Sequence, residues 1–197
     1  MPDYSNSHSG WTLLNTDINA GHLELIAPDP SDKRQVDASI AWMTNPKITT
    51  YLGVDLGDDP INESSETDRL TEIAADLDEY AWMICLNGKV VGNVGLNAID
   101  DQSQVEGMRA ARRVILLDPA VRGQGIAHAV LGMINEWAFT KGGFEVIVSR
   151  IKPDNTASLR MSERAGSERF SPDSPNGWIW LRLTKARWTS RNSGQNI

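Results

Sequence analysis

The chain holds one cysteine, Cys85, in 197 residues, so no disulfide can form within it. That residue sits in the apolar run Trp82-Met-Ile-Cys-Leu86, where a thiol reads as a small buried hydrophobe rather than a nucleophile. The three histidines, His8, His22 and His128, are scattered and give no metal-ligand spacing, so no metal is expected. No segment approaches about 18 continuous apolar residues, and the N-terminus Met1-Pro-Asp-Tyr4 lacks the basic region and apolar core of a signal peptide. A cytoplasmic chain without a membrane partner is the expectation. Basic residues are in deficit, 19 Lys and Arg against 26 Asp and Glu, giving a formal net charge of −7. Phosphate backbones need a basic surface, so nucleic acid is excluded as the expected partner and a cationic one is favoured.

A chain of this length is one ordinary domain that buries roughly 70% of its unfolded surface without staples. Residues 1–20 are polar apart from Trp11 and Leu13-Leu14 and read as an N-terminal extension, with Trp11 as its anchor. Residues 21–184 form the domain, and 185–197 a loose polar tail. His22-Leu-Glu-Leu-Ile26 alternates like a strand. Ser31-Asp32 can cap a helix carrying Val36, Ile40, Trp42 and Met43 that ends before Pro46, and a second helix is expected from Ser64 to Asp76. The acidic residues from Asp55 to Glu79, including Asp58, Asp59 and Glu66, read mainly as a solvated face and loop. Asn87-Gly88 predicts a two-residue hairpin between Trp82–Leu86 and Val90–Leu96. A further strand ends at Leu117 and is expected to begin before Arg109. Ile126, Val130, Leu131, Ile134 and Trp137 make a helical stripe, Phe144 to Ser149 returns as a strand, and Trp178-Ile-Trp-Leu-Arg-Leu183 alternates as a late one.

The most informative stretch is Val114-Ile-Leu-Leu-Asp-Pro-Ala-Val-Arg-Gly-Gln-Gly-Ile-Ala127, an apolar strand running through proline into a glycine turn that opens a helix. Glycines without Cβ let the backbone approach a ligand closely. The free N–H groups and positive dipole end of the following helix favour an anion. A Gly-x-Gly pair alone also reads as a plain tight turn. Downstream, Val146-Ile-Val-Ser-Arg-Ile-Lys-Pro-Asp-Asn155-Thr-Ala-Ser158 leads to Ala165-Gly166: a strand, then a helix capped at Asn155 or Ser158, then a glycine stop.

Together, Arg122-x-x-Gly125-x-Ala127 after Leu-Asp-Pro, followed by Asn155-x-x-Ser158, resemble the GNAT superfamily of acyl-CoA-dependent N-acetyltransferases. The Asn-x-x-Ser form resembles its ribosomal-protein-alanine acetyltransferase branch, and the likeness covers residues 20 to 184. The resemblance implies an α/β fold with a mixed, strongly bent sheet, helices on both faces, and a splay between the fourth and fifth strands. It implies acetyl-CoA as co-substrate and a primary amine as acceptor, preferably a peptide or protein α-amine, and it is compatible with a homodimer. A small cationic amine such as a polyamine or aminoglycoside, which the acidic segment would suit, and a non-catalytic acyl-CoA-binding module are the competing readings.

By that resemblance the amides of Arg122, Gly123, Gln124, Gly125, Ile126 and Ala127 would wrap the pyrophosphate, and Leu116 and Leu117 would pair with pantetheine. Asn155 would hold the pantetheine arm and Ser158 would protonate the departing thiolate; helix capping is the plainer role of both. Relatives often use a tyrosine for that proton, but Tyr4, Tyr51 and Tyr80 do not match its position. Where relatives carry Glu-x-Gly-Tyr with a basic glutamate, this chain has Arg112-Arg-Val-Ile115. Glu106, Asp118, or water relayed by Asn93 or Asn97 remain as candidates for the base.

Overall fold

The computed structural model describes residues 13–52, 59–76, 79–99, 107–171 and 177–193. Trp11, Asp55, Asp58 and Glu106 lie outside them. Among the described residues, eight strands follow the hydrogen-bonded order β1-β2-β3-β4-β5-β6-β8-β7. The chain divides into two compact units, one of Met1–Gly95 with Ile115–Ile126, the other of Leu96–Val114 with Ala127–Ile197.

In the first unit, β1 (Leu14–Ile18), β2 (Gly21–Ile26), β3 (Glu79–Leu86) and the start of β4 (Lys89–Ile99) lie side by side, with β1–β2 and β2–β3 antiparallel. Asn87 and Gly88 turn β3 into β4 with φ of 51° and 77°, as the pair predicts. The Asn87 side chain also accepts from the His22 N–H at 2.9 Å and donates to the Ala20 carbonyl at 3.3 Å, tying the hairpin to the start of β2. β1 falls in the stretch expected to be an extension. Its alternating Leu14, Thr16 and Ile18 are half-buried while Asn15 and Asp17 are exposed, which is the pattern of an edge strand.

Helix α1 (Lys33–Met43) starts where Asp32 accepts from the Arg34 N–H, and stops before Asn45-Pro46, which opens the one-turn α2 (Pro46–Thr49). Helix α3 (Glu63–Ala75) begins with a reciprocal cap between Asn62 and Ser65. Val36, Trp42, Ile48 and Leu70 from these helices pack with Met83, Cys85, Val90 and Leu116 as one core. The acidic segment is not wholly a solvated face: Glu66 is 2% exposed, accepts from the Ser39 hydroxyl and pairs with Arg69 at 2.8 Å. Burial of that carboxylate is tolerated because both partners are beside it.

Cys85 is buried in this core, and desolvation, followed by the charge of Glu24, pushes its pKa up to about 11. The native protein should therefore leave the thiol unmodified by iodoacetamide at pH 8 while the urea-unfolded chain reacts fully, since the thiolate is the nucleophile. Equal labelling rates in the two states would contradict its burial. Between about 9 and about 11 the unfolded chain ionises first, so this group makes stability fall as pH rises through that window.

The second unit is built on β5 (Ala110–Leu117, its last three residues belonging to the first unit), β6 (Val146–Ile151), β7 (Glu168–Ser171) and β8 (Ile179–Thr184). β5 and β6 are parallel, whereas β6–β8 and β7–β8 are antiparallel, so the sheet is mixed. The strand ending at Leu117 starts at Ala110, later than expected, because Gly107 at φ 76° breaks the extended run. Helix α4 (Ile126–Thr140) buries Ile126, Val130, Leu131, Ile134, Ala138 and Phe139, and α5 (Thr156–Arg164) sets Leu159 against Ile151 and Leu181. The tail expected to be loose is instead helix α6 (Lys185–Ser193). Trp188 stacks 5.5 Å from Phe139, and Arg187 donates to the Gly166 carbonyl at 2.7 Å.

Candidate functional site

The glycine turn owes its shape to backbone that only glycine adopts readily. Gly123 and Gly125 have φ of 80° and 81°, and no atom would meet a Cβ at either position within 4 Å. The turn is therefore an open cradle with its curvature fixed by residue type. Arg122 is exposed and donates from Nη2 to the Leu117 carbonyl at 3.3 Å, which ties the turn to the strand before it. Asp118 accepts from the Ala120 N–H at 2.8 Å, capping the Pro119–Val121 turn, so this candidate base is engaged as a cap. Gln124 is exposed, Ile126 is 1% exposed and anchors the helix start, and Ala127 is half-buried. No acidic residue stands in the first turn of the 15-residue α4, so the positive end of its dipole is uncompensated. A diphosphate fits a cradle of this kind.

Gly92 of β4 exists for a close approach: a Cβ there would lie 2.3 Å from the carbonyl oxygen of Leu116. Leu116 thus turns its side chain into the first unit's core while its backbone lies over glycine. The β5–β6 ladder covers Ala110↔Val146 to Arg112↔Val148, three of the eight residues of β5.

In the second unit Asn155 caps α5, its Oδ1 accepting from the Ser158 N–H at 3.2 Å. The Ser158 hydroxyl and the Asn155 Nδ2 have no hydrogen-bond partner among the described residues, so each keeps a donor for a ligand. Capping and ligand binding are compatible here, because the cap uses one atom of Asn155 and only the backbone of Ser158.

Arg113, which sequence reasoning noted only as part of a run lacking a carboxylate, proves to be a buried cation. It is 5% exposed, donating to the Asn135 Oδ1 of α4 at 3.0 Å and to the Ser149 Oγ of β6 at 3.2 Å. Burial pushes its pKa down to about 10, so it stays charged at neutral pH. The signal available in the sequence was parity: Arg113 shares a strand face with buried Ala111, opposite exposed Val114. Arg113→Ala should lower unfolding free energy by about 2–4 kcal/mol, because it leaves Asn135 and Ser149 unsatisfied and opens a void. Arg113→Met, which fills the void, should recover part of it. Urea titration of both variants checks this, and a cost for alanine under about 1 kcal/mol would contradict it.

The strand, glycine turn and dipole-exposed helix together make a backbone cradle suited to a phosphate-bearing ligand. The sequence matches the family model "Acetyltransferase (GNAT) domain" over residues 22–168, so the chain belongs to the GNAT acetyltransferases and is an acetyl-CoA-dependent N-acetyltransferase. No curated protein matches it. Among solved structures it is similar to Mycobacterium smegmatis RimJ in complex with CoA-disulfide, with TM-score 0.74 and 17% identity over 91% of this chain and 94% of that one. It is also similar to RimL, the ribosomal L7/L12 alpha-N-protein acetyltransferase in complex with coenzyme A (TM-score 0.66, 18% identity, 87% and 98% covered). Spermidine N-acetyltransferase from Vibrio cholerae, with CoA and spermine, gives TM-score 0.68 at 16% identity, covering 85% and 98%. At these identities the likeness is one of fold. Among the described residues there is no metal-ligand cluster and no helix long and apolar enough to cross a membrane.

Proposed function

We propose that the chain transfers an acetyl group from acetyl-CoA to the α-amine of a peptide or protein N-terminus. The observation that carries the donor half is the open glycine turn ahead of α4, with φ of 80° and 81° and an uncompensated helix dipole. In the first unit, the amides of Arg122 to Ile126, continued by Ala127, take the pyrophosphate. The end of β5 at Leu116 and Leu117 offers backbone to the pantetheine amides in the manner of an added strand. In the second unit, the Asn155 Nδ2 holds the pantetheine arm and the Ser158 hydroxyl donates a proton. The acceptor nitrogen attacks the thioester carbonyl, a C–N bond forms and the C–S bond breaks; the nitrogen gives its proton to water, while Ser158 passes its hydroxyl proton to the thiolate and is reprotonated from that water, so the serine is restored. The α-amine preference is supported by the Asn155-x-x-Ser158 resemblance and by the likeness in fold to RimL, an alpha-N-protein acetyltransferase.

The experiment is thiol release from acetyl-CoA across three amines: an N-terminal peptide, spermidine and an aminoglycoside. Release with the peptide alone is expected. Release only with spermidine would transfer the acceptor to the polyamine class, and coenzyme A binding without release from any amine would make the chain an acyl-CoA-binding module.

A further inference from the structure

Residues of β6 alternate between the two faces of the second unit's sheet. Ile151 packs on Leu159 of α5 and Leu181, and Ser149 meets Arg113, which reaches Asn135 of α4. The opposite face, bearing Val148 and Arg150, therefore points away from those helices within this unit. Arg112 stands directly across from Val148, so Arg112 and Arg150 share that face at the point where the β5–β6 ladder ends. Phe170 and Trp180 cover Ala110, Val146 and Val148 on this face, whereas Val114, next on the same face of β5, is 39% exposed.

The charge on this face is unbalanced. Elsewhere on the sheet and its connections, Arg182 and Arg187 each lie 3.2 Å from Glu168 and Arg169 3.0 Å from Glu163, while Arg113 is held by the neutral Asn135 and Ser149. Neither Arg112 nor Arg150 forms an ion pair with a described residue. The Nε of Arg112 is buried with no hydrogen-bond partner among them. The Arg150 guanidinium lies 4.6 Å from the centre of the Trp178 ring, and the Lys152 ammonium 5.6 Å from it. Burial, and then the charge of Arg112, lower the pKa of Arg150. Two like charges on one sheet face, one with a buried N–H lacking a partner among the described residues, make a place where a bound oxyanion is favoured. Arg112 stands on β5, the strand whose end is assigned above to the pantetheine.

We propose that Arg112 and Arg150 form an oxyanion subsite for the acceptor, with the Trp178 indole as its apolar wall, and that the enzyme selects peptides with carboxylates beside the reactive amine. This rests on the peptide-acceptor reading above. The probes are three peptide amides sharing one N-terminus: Ser-Glu-Glu-Ala, Ser-Gln-Gln-Ala and Ser-Lys-Lys-Ala. Wild-type kcat/KM should favour the acidic over the neutral peptide about tenfold at low salt, with the advantage shrinking as salt rises. Arg150→Gln should bring that ratio to within about twofold, and Arg150→Glu should invert it in favour of the basic peptide. Calorimetric binding of the same peptides to the enzyme saturated with coenzyme A reads the subsite without turnover. A preference seen in binding and lost in the variants, with no peptide acetylated, would uphold the subsite and sink the peptide-acceptor reading. Absence of peptide binding, equal binding of the acidic and basic peptides to wild type, or a preference that survives Arg150→Glu, would overturn the subsite.

Discussion

Acetyl-CoA at a hundredfold excess over its Kd should stabilise the folded chain by about 2.7 kcal/mol, because it binds the folded state alone. For a protein of this size that raises Tm by roughly 5–10 °C. Gly125→Val should remove the shift. At φ 81° a non-glycine residue is strained by about 1–2 kcal/mol, and the added isopropyl group would enter the space left open in the cradle. Gly132→Ala is the control, since that exposed position in α4 has nothing within 4 Å of a new Cβ. It should stabilise the apoprotein by about 0.4–1 kcal/mol and keep the full acetyl-CoA shift. A melting temperature unmoved by millimolar acetyl-CoA would remove the donor site from this turn, and a full shift in Gly125→Val would leave the turn with a structural role only.

Loss of the Ser158 hydroxyl is the second large effect. Ser158→Ala should lower kcat about a hundredfold or more while changing the Kd for acetyl-CoA by less than about twofold, as expected for a proton donor acting in the transition state. The substitution is clean because Asn155 caps the backbone N–H of residue 158, which alanine retains. Asn155→Ala, by contrast, should cost about 1 kcal/mol of stability through the cap and weaken acetyl-CoA binding as well. If Ser158→Ala weakens binding with turnover per bound donor intact, the hydroxyl holds the donor and water supplies the proton.

Local chemistry was the legible part of this sequence. Asn87-Gly88, Asp32, and the Gly123–Gly125 turn each act through their own backbone, so the chain announces them without knowledge of distant partners. The stripe of α4 was equally plain, because Ile126, Val130, Leu131 and Ile134 recur at helical spacing. What escaped depended on long-range partners. Glu66 looks like one acid among many until Ser39, 27 residues earlier, donates to it. Arg113 needs Asn135 and Ser149, 22 and 36 residues away, to be tolerated in the interior. α6 is polar apart from Ala186 and Trp188, and the docking of the Trp188 ring on Phe139 is not visible in its own segment. Among the candidate site residues, the glycine turn at Gly123 and Gly125 and the Asn155 cap on Ser158 were readable from motif spacing. The unpaired state of Arg112 and Arg150 required the strand register.

The division of the chain carries a consequence for anyone who would cut it. The backbone passes from one unit to the other after Gly95, after Val114 and after Ile126, each time inside a regular element and never in a linker. Neither unit is a contiguous stretch, so no single truncation yields one of them whole. A cut at any of the three crossings splits β4, β5 or α4 between the two pieces. Split-enzyme reporters, circular permutants and inserted tags therefore belong at the connections, such as the exposed Gly107–Met108 step ahead of β5, and a polypeptide ending at any of the three crossings should be recovered insoluble.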